Sequence, residues 1–119
     1  MPLTRVTRMD KELFSRVLRQ GAVVRGNSFS LHYQALSPKE KSRIAVVVSK
    51  RVARTATARN QLKRRGREFL RNHLSQGGTP YAVILRLTPT AASRTHAQFR
   101  EELGVLLYSR GIATAETKR

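Results

Sequence analysis

The chain contains no cysteine, and only 7 of its 119 residues are acidic. Without cysteine it can form neither a disulfide nor a thiolate-bound zinc or iron–sulfur site. No run of 18 apolar residues occurs, so we expect no membrane-spanning helix. The first residues lack the apolar core of a signal peptide, so we expect the protein in the cytoplasm. The few acids are scattered along the chain, whereas a protein nuclease needs clustered carboxylates for its metal ions.

Basic residues are abundant by contrast. Lysine and arginine number 24, which gives a net charge of +17 and an isoelectric point near 11.8. A charge of this size repels itself and speeds encounter with anions. Nucleic acid is the first candidate partner, and an anionic membrane surface is the second. A length of 119 residues predicts one domain over 1–119, with an ordered core at about 9–111 between a basic N-terminal tail and a polar C-terminal tail.

Periodicity predicts a mixture of helices and strands. Asp10 is a suitable N-cap for a helix over 11–20 that ends at Gly21. Thr95 and Gln98 form a capping box for the last helix, which Gly111 ends. Apolar or alternating runs predict strands at 29–34, 44–48 and 81–87, with a long helix between the last two. Helices on one apolar sheet face predict a two-layer α+β sandwich.

The most informative segment is 58–71, which a helical projection divides into two faces. The apolar face carries Leu62, Gly66, Phe69, Leu70 and His73. The other face carries Asn60, Lys63, Arg64, Arg67 and Arg71, with Glu68 the only acid among the basic residues. Because each guanidinium can fork two hydrogen bonds onto a phosphate, this face suits a polyanion. The alternative is a solvated basic face without a ligand.

Candidate catalytic groups do not converge in the sequence. His32, His73 and His96 lie in three different predicted elements. Glu68 and His73 share a helix, but a separation of five residues places them about 140° apart around it. Each histidine is therefore expected to be an ordinary packed or surface residue. The chain reads as a binder of RNA or DNA, and a self-sufficient enzyme is not indicated.

Three short motifs resemble the protein subunit of bacterial ribonuclease P. Residues 49–51 read Ser-Lys-Arg, 59–64 read Arg-Asn-Gln-Leu-Lys-Arg, and 67–69 read Arg-Glu-Phe. In that family a strand ends in a basic motif, and a basic connector leads into a helix that opens Arg-Asn-Arg. The resemblance extends over about 11–108. Gln61 departs from the family arginine, and the run 63–65 offers one extra basic residue to offset it. Leu18 stands where many members have an aromatic residue.

The resemblance implies a fold and a function. The fold is a two-layer α+β sandwich, of the type in the second domain of ribosomal protein S5. Its arginine-rich helix lies in a left-handed βαβ crossover, although right-handed connections are strongly preferred. Ribonuclease P is an endoribonuclease that removes the 5′ leader of precursor tRNA by hydrolysis that depends on Mg²⁺. The implied partners are the ribonuclease P RNA subunit, which holds the Mg²⁺ and performs the chemistry, and precursor tRNA. No membrane or protein partner is implied. Metal ions bound between the protein and the RNA stay open as an alternative, because no ligand set can be read from the sequence.

The resemblance also implies two sets of site residues and no catalytic residue. The set for the RNA subunit is Arg54, Arg59, Asn60, Lys63, Arg64, Arg67 and Arg71. The set for the leader, in a cleft between the first helix and the sheet, is Phe14, Leu18, His32, Ser49, Lys50, Arg51 and Arg86. Alternatives remain for four of them: Arg59 and Asn60 begin the helix and would also suit a cap or brace. Phe14 and Leu18 have the spacing of a core pair.

Two other functions are compatible with parts of the sequence. Charge and size alone permit a non-catalytic ribosomal or nucleoid protein. A stand-alone nuclease is disfavoured by the scattered acids. An apolar or aromatic cleft beside positive charge favours the ribonuclease P interpretation, because a pure phosphate binder has no need of one.

Overall fold

The computed structural model describes residues 6–74 and 79–110. Its elements are β1 (Val6–Arg8), α1 (Lys11–Gln20), β2 (Ala22–Arg25), β3 (Phe29–Ala35), β4 (Ser42–Val47), α2 (Ala56–Leu74), β5 (Tyr81–Leu87), α3 (Pro89–Ala92) and α4 (His96–Ser109). The predicted α+β class is confirmed. The sequence Gln-Gly-Gly-Thr-Pro predicts a loop at 76–80. Most of that loop, the helix stop at Gly111 and most of the two tails lie outside the described residues.

The five strands form one sheet in the order β1-β4-β5-β3-β2. Strand β4 pairs in parallel with both β1 and β5, whereas β3 is antiparallel to β5 and to β2. Because α2 connects the parallel neighbours β4 and β5, the predicted βαβ crossover is present. Its left-handed sense stays an implication of the resemblance. Strand β1 corrects the sequence prediction, which placed Val6–Arg8 in an unpatterned tail. Its three residues are ordered by pairing with β4.

The two faces of the sheet are covered differently. On the face that we call the closed face, alternate strand residues such as Phe29, Leu31 and Leu85 pack with α2 and α4 in the larger apolar cluster. On the face that we call the open face, Ala82 and Ile84 form a smaller cluster with α1. The sequence predicts one apolar face, and this second cluster under α1 is an addition to it.

Helix α1 agrees with its predicted bounds and caps. Asp10 Oδ1 accepts a hydrogen bond from the Leu13 N–H at 2.9 Å. The helix ends at Gly21, whose φ of −75° is ordinary extended backbone. Only glycine fits at this position, because a Cβ atom there would lie 2.7 Å from the Val17 carbonyl oxygen and 2.8 Å from the Tyr33 carbonyl oxygen. The close approach leads the chain directly from α1 into β2.

Helix α2 begins at Ala56, two residues before the predicted start. Thr55 accounts for the difference, because its Oγ1 accepts a hydrogen bond from the Ala58 N–H at 3.1 Å. Near the middle of the helix, a Cβ atom on Gly66 would lie 3.2 Å from methyl carbons of Leu85 and Val46. Gly66 therefore lets α2 lie close against β4 and β5, which fixes the position of its outer face.

Helix α4 is tied to the β2–β3 turn by a buried polar cluster. The backbone N–H and the Oγ of Ser28, which is fully buried, donate to the two carboxylate oxygens of Glu102 at 2.9 and 2.6 Å. Arg94 Nε donates to Ser28 Oγ at 3.0 Å. The predicted capping box is confirmed, since Thr95 Oγ1 accepts from the Gln98 N–H and Gln98 Oε1 accepts from the Thr95 N–H.

Candidate nucleic-acid interface

The outer side of α2 is a continuous basic surface. The predicted apolar residues Leu62, Gly66, Phe69 and Leu70 are buried, and His73 is half-buried. The predicted basic surface, which we call the basic face, consists of Asn60, Lys63, Arg64, Arg67 and Arg71. Arg64, Arg71 and Asn60 are exposed, whereas Lys63 and Arg67 are half-buried. The helix therefore separates a packing side from a charged side as the sequence indicates.

Among the residues that the structure describes, the cations of the basic face have no carboxylate partners. Within residues 6–74 and 79–110, the one ion pair joins Arg94 to Glu102, with a distance of 3.6 Å between Nε and Oε1. This pair neutralises one of the 24 lysine and arginine residues of the chain, so the net charge of +17 is left in place. The basic face is therefore free to accept an external polyanion.

Arg59 has a structural function in addition to any contact with RNA. Its Nη1 donates to the carbonyl oxygens of Ala53 at 3.1 Å and of Arg54 at 2.9 Å. The guanidinium thus fixes the connector between β4 and α2, which is the bracing alternative that the sequence left open. The Arg54 side chain itself is exposed beside the start of α2.

Arg65 does not belong to the basic face. Its guanidinium carbon lies 5.4 Å from the centre of the Phe99 ring, so the side chain points towards α4. The expectation that the run 63–65 compensates for Gln61 with an extra cation is therefore wrong for Arg65. Gln61 is exposed and leaves the start of α2 one charge short of the family pattern.

Several predicted leader-binding residues meet at one end of the open face. In the strand register, Arg86 of β5 lies beside Ser30 of β3 and beside Val47 of β4. The exposed residues Ser49, Lys50 and Arg51 follow the end of β4 next to this position. We call Ser30, His32 and Arg86 the sheet-face patch. Positive charge is therefore placed beside a part of the sheet that α1 only partly covers.

The two apolar candidates on α1 differ in their surroundings. Phe14 is half-buried and packs against the smaller cluster, which Ala45 and Val47 also join. Leu18 is 38% exposed, so it is not a core residue. Leu13 and Val17 are the buried pair of α1 instead. Phe14 therefore combines a fixed position with a partly accessible ring, as a stacking surface requires.

His32 is more enclosed than a lining residue of a cleft. It is buried, and its Nδ1 has no hydrogen-bond partner in the part of the chain that the structure describes. Burial lowers the pKa of His32 below the usual 6.5, and the positive charges of Arg86 and Arg25 lower it further. At neutral pH the ring is therefore uncharged, and Arg86 is the cation of the patch.

Strand β2 supplies residues that sequence reasoning did not identify. Val23 pairs with His32, and Arg25 pairs with Ser30. Because Val24 is buried on the closed face, Val23 and Arg25 project from the open face, and both are exposed. The sequence signal for this strand was the β-branched pair Val23-Val24 between Gly21 and the Gly26-Asn27 turn. Two such residues are too few to predict a strand.

Two further findings concern catalysis and the membrane. In the described part of the chain, no group of three histidine or acidic side chains is placed to hold a metal ion. Glu68 and His73 of α2 and His96 of α4 nevertheless border one cleft between the two helices. Among residues 6–74 and 79–110, no helix is long and apolar enough to cross a membrane.

Fold and site together define a class: an α+β nucleic-acid-binding domain with an unpaired arginine-rich helix and a partly uncovered sheet face. The ribonuclease P family model matches residues 4–110. The chain therefore belongs to the ribonuclease P protein family and is the protein component of this endoribonuclease, which functions with an RNA partner.

Curated relatives agree with this assignment. The chain is 36% identical to the ribonuclease P protein component of Pseudarthrobacter chlorophenolicus over 96 residues, which cover 81% of this chain and 70% of the relative. It is 31% identical to that of Pseudanabaena sp. over 97 residues, covering 82% and 84%. These relatives favour the ribonuclease P interpretation over a ribosomal or nucleoid protein.

Solved structures show the same fold. The Staphylococcus aureus RNase P protein superposes with a TM-score of 0.80 at 21% identity, covering 91% of this chain and 97% of that one. The Thermotoga maritima RNase P protein gives 0.73 at 21% identity, covering 86% and 96%. The predicted α+β fold class is thus confirmed independently of sequence identity.

Proposed function

We propose that the basic face binds the RNA subunit of ribonuclease P and that the sheet-face patch, with Phe14, binds the 5′ leader of precursor tRNA. The RNA subunit holds the Mg²⁺ ions that supply the chemistry, and the protein works in the cytoplasm. The observation that carries the proposal is a basic face whose cations have no carboxylate partner within residues 6–74 and 79–110. The phosphates of RNA would supply the negative charges that this face needs.

The geometry of α2 supports a positioning function. Because Gly66 lets the helix lie close to β4 and β5, the side chains of Arg64 and Arg67 start from a fixed backbone. Contacts to phosphates set register and orientation but read little sequence. Each neutralised phosphate releases counterions, so the affinity should fall steeply with salt.

The test is a salt titration of binding to the RNA subunit. The double variant Arg64→Ala, Arg67→Ala should bind more weakly, and the slope of log affinity against log salt should fall by about 2, or about 1 per phosphate contact. The matched control is Lys39→Ala, Lys41→Ala, which removes two exposed cations from the β3–β4 connection. An unchanged slope in the α2 variant, or an equal change in the control, would reject the basic face as the binding surface.

Leader binding requires a different measurement. Phe14→Ala should weaken binding of precursor tRNA by about 1–3 kcal/mol, the scale of one stacked base, and should spare mature tRNA. Val105→Ala is the control, because it removes an exposed apolar side chain of α4 that lies outside the proposed leader site. Equal losses for precursor and mature tRNA, or a large drop in melting temperature, would assign Phe14 to the core.

The electrostatic contribution of the protein is separable from both contacts. Phosphates of the RNA subunit and of the substrate repel each other, so a protein of charge +17 beside them should lower the Mg²⁺ requirement. Cleavage of precursor tRNA at low Mg²⁺ should occur only in the mixture of protein and RNA subunit. Activity of the protein alone would indicate a stand-alone nuclease. If the protein left the Mg²⁺ dependence of cleavage unchanged, the proposed electrostatic contribution would be rejected.

A further inference from the structure

A cleft between α2 and the start of α4 gathers groups that the proposed contacts do not use. It encloses about 160 Å³, and its lining includes Glu68, His73, His96 and Arg100, with Arg65 at one wall. Both helices pack on the closed face, so this cleft lies on the other side of the sheet from the sheet-face patch. It is therefore a separate candidate site.

One wall of the cleft is a pair of stacked rings. The rings of Phe69 and His73 have centroids 3.9 Å apart and planes inclined by only 15°. His73 Nδ1 also lies 3.0 Å from the Phe69 carbonyl oxygen, which fixes the orientation of the imidazole. In the described part of the chain, no other ring covers the second side of His73. A planar ring held in this way is suited to stack one nucleobase.

The charged groups of the cleft are of both signs. Arg100 and His96 are exposed on α4, and Arg65 is held over the Phe99 ring. Glu68 is exposed and takes part in no ion pair among residues 6–74 and 79–110. A free phosphate would meet repulsion from Glu68. A nucleotide satisfies both signs, because its phosphate suits Arg100 while the edge of its base donates to the carboxylate.

We propose that this cleft binds one unpaired nucleotide of RNA, with the base stacked on His73, its edge on Glu68 and its phosphate on Arg100. The proposal rests on the RNA-binding function above and adds a second contact surface to it. A carboxylate has two acceptor oxygens, which match the adjacent N1–H and N2–H donors of guanine. Uracil offers a single ring donor. Guanine should therefore be preferred and uracil disfavoured.

The experiment follows the ring signals of His73 and His96 by NMR in the full chain at fixed pH and ionic strength. The probes are GMP, AMP, CMP, UMP and inorganic phosphate. GMP should shift both signals at the lowest concentration. His73→Ala should weaken GMP binding by about 5- to 150-fold, and Glu68→Gln should remove the preference for GMP over UMP. The matched control is Glu101→Gln, an exposed acid of α4 outside this cleft.

The outcomes distinguish this site from the basic face. Equal shifts with inorganic phosphate and with nucleotides would show an anion site without base recognition, and absent shifts would show no site; either overturns the proposal. If His73→Ala lowers the melting temperature, Arg100→Ala replaces it, because an exposed side chain can be removed without disturbing the packing. If only the nucleotide site fails, the Arg64→Ala, Arg67→Ala variant still shows the expected fall in salt slope relative to the wild type. If the proposed function fails, the variant and the wild type have the same slope.

Discussion

The two faces of the sheet use the same strands for opposite purposes. On the closed face, Phe29, Leu31, Val83 and Leu85 are fully buried beneath α2 and α4. On the open face, the alternate positions include Ser30 and Arg86, and α1 covers only part of the surface. Because side chains alternate along a strand, one set of residues supplies the stability and the next set supplies a binding surface. Substitutions on the two faces should therefore separate stability from RNA binding.

The largest expected effect lies on the closed face. Phe99 is fully buried, and its ring meets that of Phe29 edge to face at 5.0 Å. Phe99→Ala removes this contact and leaves a cavity, so the free energy of unfolding should fall by about 3–5 kcal/mol. Urea unfolding measures the change. A loss below about 1 kcal/mol would mean that α4 contributes little to the closed face.

The next effect concerns the cluster that joins α4 to the β2–β3 turn. Glu102→Ala leaves the N–H and Oγ of the buried Ser28 without their acceptors, so unfolding should become easier by about 1–3 kcal/mol. Glu101→Ala is the matched control, because the neighbouring acid is exposed. Similar losses in both variants, measured by urea unfolding, would show that helix propensity and not the Ser28 contacts accounts for the change.

A smaller effect should appear as a dependence of stability on pH. His32 has a pKa below its usual 6.5 in the folded protein, so the unfolded chain binds more protons in the interval between the two values. Stability should therefore be complete above pH 6.5 and should decrease as the pH falls through this interval. His32→Gln should reduce the slope of unfolding free energy against pH there. An identical slope in the variant would show that other groups dominate.

The smallest effect on stability is expected for Arg86, whose replacement should weaken the binding of precursor tRNA specifically. Arg86 is exposed on the open face, so Arg86→Ala should change the unfolding free energy by less than about 0.5 kcal/mol. Its affinity for precursor tRNA should nevertheless fall, while its affinity for mature tRNA is retained. A loss of stability comparable to that of Glu102→Ala would contradict the division between the two faces.

Local signals in the sequence predicted much of the fold. Helix α1, strand β5 and the capping box at Thr95 depend on periodicity and on residues within one turn, and each was confirmed. Strands β1 and β2 were missed because each has three or four residues and is ordered by its neighbour in the sheet. The start of α2 was misplaced because the cap at Thr55, which accepts from the Ala58 N–H, was not identified from the sequence.

In the candidate site, too, the sequence predicted the features that depend on one element and missed those that depend on packing between elements. The basic face follows from helical geometry, so the sequence identified its members correctly as neighbours. The direction of Arg65 towards Phe99 depends on where α4 packs, and the enclosure of His32 depends on the pairing of β2. The cleft that joins Glu68, His73 and His96 likewise requires two helices to meet. No pattern within a single element contains that information.

The scarcity of ion pairs has a consequence for the amount of protein in a cell. The described residues contain one ion pair, and the chain carries a charge of +17. Repulsion between these positive charges destabilises the folded state of the free protein, and bound RNA reduces that repulsion. Sulfate should raise the melting temperature of the free protein, although added salt weakens its hold on RNA. A ligand that binds only the folded form stabilises it, so protein made in excess of its RNA is the least stable pool. Proteolysis would then remove the surplus, and the two subunits would be kept in balance without a dedicated regulator.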